Sequence, residues 1–213
     1  MIFPIRNSSL ETMRMEARRR AEALPQLRVP LYEAGRQLAE MESSSRIMSE
    51  AAAIVSAHRG TAAMFVRFSQ PDLNIIVESS SGSLQQEPQR FGCETPTSGL
   101  IARTLIKRVS IHVPDISASG IEVLEGRKIE KEETRHDRIL DLLPLEFSKS
   151  AGAALLTPLG LERSTDIGFG FIFEYSERST FSLQSMQEAQ SYSALFTLHI
   201  AGKYLKEIKN PAR

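Results

Sequence analysis

Cysteine is nearly absent from this chain. Cys93 stands alone among 213 residues, so no internal disulfide can form and no Cys-x-x-Cys metal site can be built. Net charge is missing as well: lysines and arginines number 26, and aspartates and glutamates also number 26. That balance leaves no basic field to draw the protein onto nucleic acid or an anionic membrane. No apolar run approaches the roughly 18 residues of a membrane span, since even Ala151–Leu161 is cut by Pro158 and Gly160. The first residues hold no run of about seven apolar side chains of the kind a secretion signal needs. The expectation is a cytoplasmic protein with no nucleic-acid or membrane partner. His58, His112, His136 and His199 are scattered and lack any HExxH spacing, and Gly168-Phe-Gly sits in a strand pattern without the lysine of a phosphate loop. Neither zinc, nor nucleotide-loop, nor hydrolase chemistry has support.

What remains is a chain with 41% apolar and 24% charged residues, enough for one well-buried core with extra helices. Ser8 and Glu11 suit a capping box ahead of Leu10, Met13, Ala17, Ala21 and Leu24, a stripe that predicts an amphipathic helix ended by Pro25. Arg18-Arg19-Arg20 spreads around that helix instead of making one face, so it reads as a solvated surface. Pro25 and Pro30 bracket a stiff connection, placing an N-terminal helix and linker over 1–30 and one domain over 31–209. Leu31–Met41 and Ile47–Val55 predict two further helices, the second ending at Gly60. The period then changes. Thr61–Phe68 and Leu73–Ser79 read as a β-hairpin around Gln70-Pro71-Asp72, followed by a polar loop from Ser80 to Arg90.

Ile116–Phe147 is the least regular stretch, with a charged middle from Glu125 to Asp141 and room for a helix near Ile139–Leu143. Ala151–Leu159 and Asp166–Tyr175 read as a second strand pair. In the latter, Ile167, Phe169, Phe171, Phe173 and Tyr175 share one face, while Gly168, Gly170 and Ile172 share the other. Glycines in such a strand mark close approach by another backbone or a ligand. Ser182 is a fitting N-cap for a last helix running to Lys209. At about 1.5 Å per residue that helix would reach roughly 42 Å, beyond a five-stranded sheet about 20 to 25 Å across.

The chain is organised around Phe91–Asp115, FGCETPTSGLIARTLIKRVSIHVPD. It reads as a glycine-bounded turn, a helix from near Thr97, a basic break at Lys107 and Arg108, and a strand from Val109 to Val113 stopped by Pro114-Asp115. In that form it resembles the middle of a GAF domain, with its Gly-x-x-x-Gly-like turn, helix of small and aliphatic residues, and strand ending in Pro-Asp. Leu156-Thr-Pro-Leu followed by Ile167-Gly-Phe-Gly-Phe-Ile fits the later GAF pattern, and the resemblance runs from Leu31 to Leu205. It implies an α/β (α+β) fold: a mainly antiparallel sheet flanked by helices, with helices from both chain ends on one face and the irregular segment on the other.

The resemblance also implies a sensory or regulatory module, a homodimer bundled through terminal helices. Its ligand or effector protein is unknown, and no cofactor is identified. Phe91, Thr97, Ser98, Gly99, His112 and Asp115 would lie near one another as a ligand pocket, although each also suits a turn or cap. Helix-start amides favour an anionic group, and 116–147 would be either a lid or a surface insertion. Some GAF proteins reduce free methionine sulfoxide, but with several cysteines. Others attach a tetrapyrrole through a cysteine usually followed by histidine, where this chain has Glu94, a neighbour that blunts a thiol. The cyclic-nucleotide signature of phosphodiesterase GAF domains cannot be placed on these residues. The alternatives to a sensor are an enzyme using the same pocket and a scaffold with no ligand.

Overall fold

The computed structural model describes residues 25–69, 74–84, 89–92, 99–116, 120–125, 128–133, 152–160, 169–177 and 180–209. The expected first helix and Cys93, Thr97 and Ser98 lie outside them, as do 134–150. The described elements are α1 (Pro25–Glu40), α2 (Ser44–Arg59), β1 (Ala62–Ser69), β2 (Asn74–Ser81), a 3-10 turn (Gly82–Leu84), β3 (Gln89–Gly92), α3 (Gly99–Lys107), β4 (Ser110–Val113), β5 (Gly120–Glu125), β6 (Lys128–Glu133), β7 (Ala153–Pro158), β8 (Phe169–Ser176) and α4 (Leu183–Lys209). One eight-stranded sheet takes the order β3-β2-β1-β8-β7-β4-β5-β6, and its strand pairs are antiparallel.

Alternation along the strands divides the core into two layers. On one face Met64, Val66, Ile111, Val113, Leu156, Phe171 and Phe173 pack beneath Leu100, Ile101 and Leu105 of α3. On the other, Ala63, Phe65 and Ile172 meet Ala34 and Leu38 of α1, Ile47, Ala51 and Val55 of α2, and Tyr192, Phe196 and Ile200 of α4. Helices from both ends of the described chain thus share one face, as the sequence implies. A smaller cluster continues this layer, with Leu155 and Leu124 against Phe181, Met186 and Ala189.

Local chemistry sets the helix ends. The Arg46 N–H donates to Ser43 Oγ at 3.1 Å, and Gly60 closes α2 in the left-handed conformation, φ 67°, donating to the Ser56 carbonyl. The Ser185 N–H donates to Ser182 Oγ at 3.1 Å, so Ser182 caps α4. Gly170 answers a different need. A Cβ there would stand 2.8 Å from Leu159 Cδ1 and 3.1 Å from the Val66 carbonyl oxygen, a close approach only a bare backbone tolerates.

Three expectations need correction. Pro30 does not interrupt the chain: α1 runs from Pro25 through it, losing only the one N–H that proline lacks. The stretch read as a polar loop after β2 contains the 3-10 turn and β3, which pairs with β2 through Ile75 and Phe91. The described part of the irregular segment, expected on a sheet face, is instead largely in the sheet, as the β5–β6 hairpin over 120–133. Ile121 and Val123 bury on the α3 side, and in β6 only Ile129 packs against the core, so charge hid the strand period there.

Buried charge pins the helical layer. Arg59, at the end of α2, donates from Nε to Glu174 Oε2 of β8 at 2.6 Å and from Nη2 to the Ser185 carbonyl of α4 at 2.9 Å. Thr61 Oγ1 also donates to Glu174. Burial raises the Glu174 pKa, against the pull of Arg59. Among the described residues, no helix is long and apolar enough to cross a membrane.

Candidate functional site

The helix–strand unit at the centre of the chain forms as its sequence suggests. α3 presents Leu100, Ile101 and Leu105 to the sheet, ends at Lys107, and turns back through Arg108 into β4. That reversal brings the start of α3 and the end of β4 to the same end of the sheet, since about nine helical residues and four to six extended ones cover similar lengths. Gly99 opens the helix and Asp115 follows the strand, partly exposed. The Ile116 N–H donates to the Gly152 carbonyl at 2.8 Å, tying the end of β4 to the start of β7.

Two other sequence-derived residues lie elsewhere. Phe91 sits in β3 at the sheet edge, with four strands between it and β4. His112 lies on β4 between Ile111 and Val113, so its side chain leaves the opposite face. There its Nε2 accepts the Phe181 N–H at 3.2 Å, and its Nδ1 lies 3.0 Å from Glu122 Oε2. An accepting Nε2 fixes the proton of the neutral ring on Nδ1, which donates to Glu122. The Phe181 ring stands edge-on, its centroid 5.7 Å away. Burial holds the His112 pKa below its ordinary value, only partly opposed by Glu122. Burial alone would raise Glu122, but His112 and Lys131 together hold it low. The structure thus separates Phe91 and His112 from Gly99 and Asp115, and gives His112 the work of seating the start of α4.

Polar groups under α3 were not singled out in the sequence. Thr104 is fully buried on the same stripe as Leu100, Ile101 and Leu105, and its Oγ1 has no hydrogen-bond partner. Arg103 grips Glu132 of β6 with both terminal nitrogens, Nη2 to Oε1 at 2.5 Å, while its buried Nε is unpartnered. The hydrogen bond with Glu132 raises the Arg103 pKa, and the same bond lowers that of Glu132. A hydroxyl on a buried helical stripe is the one signal the sequence offered for this group. Among the described residues, no three His, Cys, Asp or Glu side chains stand together as a metal site.

No protein-family model matches the chain, and no curated protein matches it significantly. Solved structures do. The phycocyanobilin-bound GAF domain of a cyanobacterial phytochrome is 17% identical, with a TM-score of 0.63 over 85% of this chain and 97% of that one. The GAF domain of an Acinetobacter phosphoenolpyruvate-protein phosphotransferase is 12% identical, with a TM-score of 0.56 over 83% and 93%. A free methionine-R-sulfoxide reductase from Neisseria meningitidis, in complex with its substrate, is 13% identical, with a TM-score of 0.57 over 84% and 91%. These likenesses bear on architecture, and they agree with the antiparallel sheet and its flanking helices: by fold, this chain is a GAF-like domain.

Proposed function

We propose that the chain is a non-catalytic sensory or regulatory module, a homodimer that binds a small ligand or an effector protein on the α3 side of its sheet. The observation that carries the ligand site is the unpartnered Thr104 Oγ1 beneath α3, beside the Arg103–Glu132 pair. A buried hydroxyl left unsatisfied costs about 1–3 kcal/mol, a deficit that a ligand oxygen or nitrogen would remove. Gly99 and Asp115 belong to the same proposed site, and Thr97 and Ser98 are assigned to it on the sequence resemblance. Bilin-bound GAF domains share this fold and support a pocket reading.

Native mass spectrometry of the full chain purified from its own cells tests the proposal. A retained small molecule, with slowed deuterium exchange in 99–107 and 125–141 relative to stripped protein, is the expected result. Bare chain with identical exchange leaves only a scaffold. Turnover of the retained molecule, abolished by Cys93→Ser, replaces the sensor with an enzyme, a reading favoured by the reductase likeness but opposed by the single cysteine.

A further inference from the structure

The opposite face of the sheet carries a groove of its own, about 470 Å³, where α4 crosses the ends of β4 and β7. Its polar lining divides into groups already committed and groups with hydrogens to spare. Ser193 Oγ donates to the Pro158 carbonyl. Thr197 Oγ1 donates to the Ser193 carbonyl at 2.8 Å and accepts the Gly160 N–H at 2.9 Å. Those two are spent on holding α4 to the sheet. Ser110 Oγ, buried, accepts from Gln190 Nε2 at 3.1 Å and keeps its own proton to give. Thr157 is 1% exposed and lines the groove, yet its Oγ1 has no partner at all.

Arg108 adds a cation to this lining. Among the described residues it is the one non-glycine residue with positive φ, 54°. Glycine is the usual residue just past a helix end in that conformation; here the chain holds an arginine, exposed and at the border of the groove. No carboxylate is among the described lining residues. Set in a mostly apolar lining, the groove thus has two hydroxyls and an amide with hydrogens to give and an arginine at its border, with no fixed negative charge to satisfy them. An oxyanion supplies what they lack, several acceptor lone pairs and a charge that a guanidinium can grip with two parallel bonds.

We infer that this groove is a second binding site, taking the carboxylate or phosphate group of a small organic anion between Arg108, Ser110, Thr157 and Gln190. It lies across the sheet from the α3 side, so it stands or falls separately from the function proposed above. The test is a titration of the isotope-labelled full chain, followed by NMR at fixed ionic strength, with inorganic phosphate in one series and acetate in the other. Saturable shifts at Ser110, Thr157 and the Gln190 side-chain amide are expected. Saturation by phosphate alone assigns a phosphate ligand, by acetate alone a carboxylate, and by both a shared oxyanion seat. Arg108→Asn, which suits the left-handed backbone, and Thr157→Val, which keeps the shape and removes the hydroxyl, should each weaken binding about tenfold. The melting temperature should not fall in Thr157→Val, because its hydroxyl has no bond to lose. No saturable shift with either probe, or equal affinity in the variants, overturns the inference.

Discussion

Arg59 Nε lies 2.6 Å from Glu174 Oε2, with side-chain exposures of 3% and 1%, and this one contact joins the end of α2 to the middle of the sheet. Through Glu188 and the Ser185 carbonyl the same guanidinium also holds α4. Removing one partner of such a pair strands a buried charge. Arg59→Met should therefore cost about 3–5 kcal/mol in urea denaturation, and the double variant Arg59→Met with Glu174→Leu should recover most of it. A loss in the single variant no larger than that of an exposed ion pair, about 1 kcal/mol or less, would contradict the burial argument.

His112 ties stability to pH. Its folded pKa is held below the ordinary histidine value of about 6.5 by burial. Above that value both folded and unfolded rings are neutral, and the contribution is complete. As pH falls through it, the unfolded chain takes up a proton that the folded ring still refuses. Stability therefore declines down to the folded pKa and is flat below it. Glu122, held low in the fold, adds a second loss at more acid pH. His199 is also held low, by burial and Lys203, and is common to the parent and to His112→Gln. The variant should show a shallower loss of stability between about pH 7 and 5 in urea titrations; equal slopes would remove His112 from the account.

How far the sequence could be read depended on which side chains reveal a period. Phe171, Phe173 and Tyr175 alternate with Gly170 and Ile172, and the face each takes was legible before the fold was known. Gly60 and Ser182 were legible as helix ends because capping is local chemistry. β6 was not legible: in Lys128-Ile-Glu-Lys-Glu-Glu, five charges in six residues give no alternation to read. The site suffered from the same limit. The resemblance puts His112 in one pocket with Asp115, yet a strand sends residues an odd number of places from Ile111 to the other face. Its true partners, Glu122 and Phe181, stand 10 and 69 residues away. Thr104 and Thr157 became visible only when burial showed hydroxyls with no partner.

Glycine substitutions separate close approach from mere flexibility. Gly170→Ala places a methyl 2.8 Å from Leu159 and 3.1 Å from backbone, and should lower stability by about 1–3 kcal/mol. Gly202→Ala meets nothing within 4 Å in the middle of α4, and should raise stability by about 0.5–1 kcal/mol. Thermal melts of the two variants check both signs, and equal effects would refute the packing argument.

The far half of α4 gives the dimer its test. Phe196 and Ile200 are buried, whereas Leu198, Leu205 and Ile208 are 70%, 54% and 56% exposed. Light scattering at micromolar concentration should return a dimer mass for the full chain. Leu205→Glu, and a chain lacking 1–27, should return monomers. A monomeric parent sinks the proposed assembly.

The outer strands of the sheet limit how copies can meet. An open sheet ends in two rows of unpaired amides and carbonyls, each able to take up another strand. Here one row belongs to β3, four residues long, and the other to β6, which carries five charged side chains in six residues. Neither border offers a long apolar template. Extension of the sheet from molecule to molecule through these described strands is therefore discouraged at both ends.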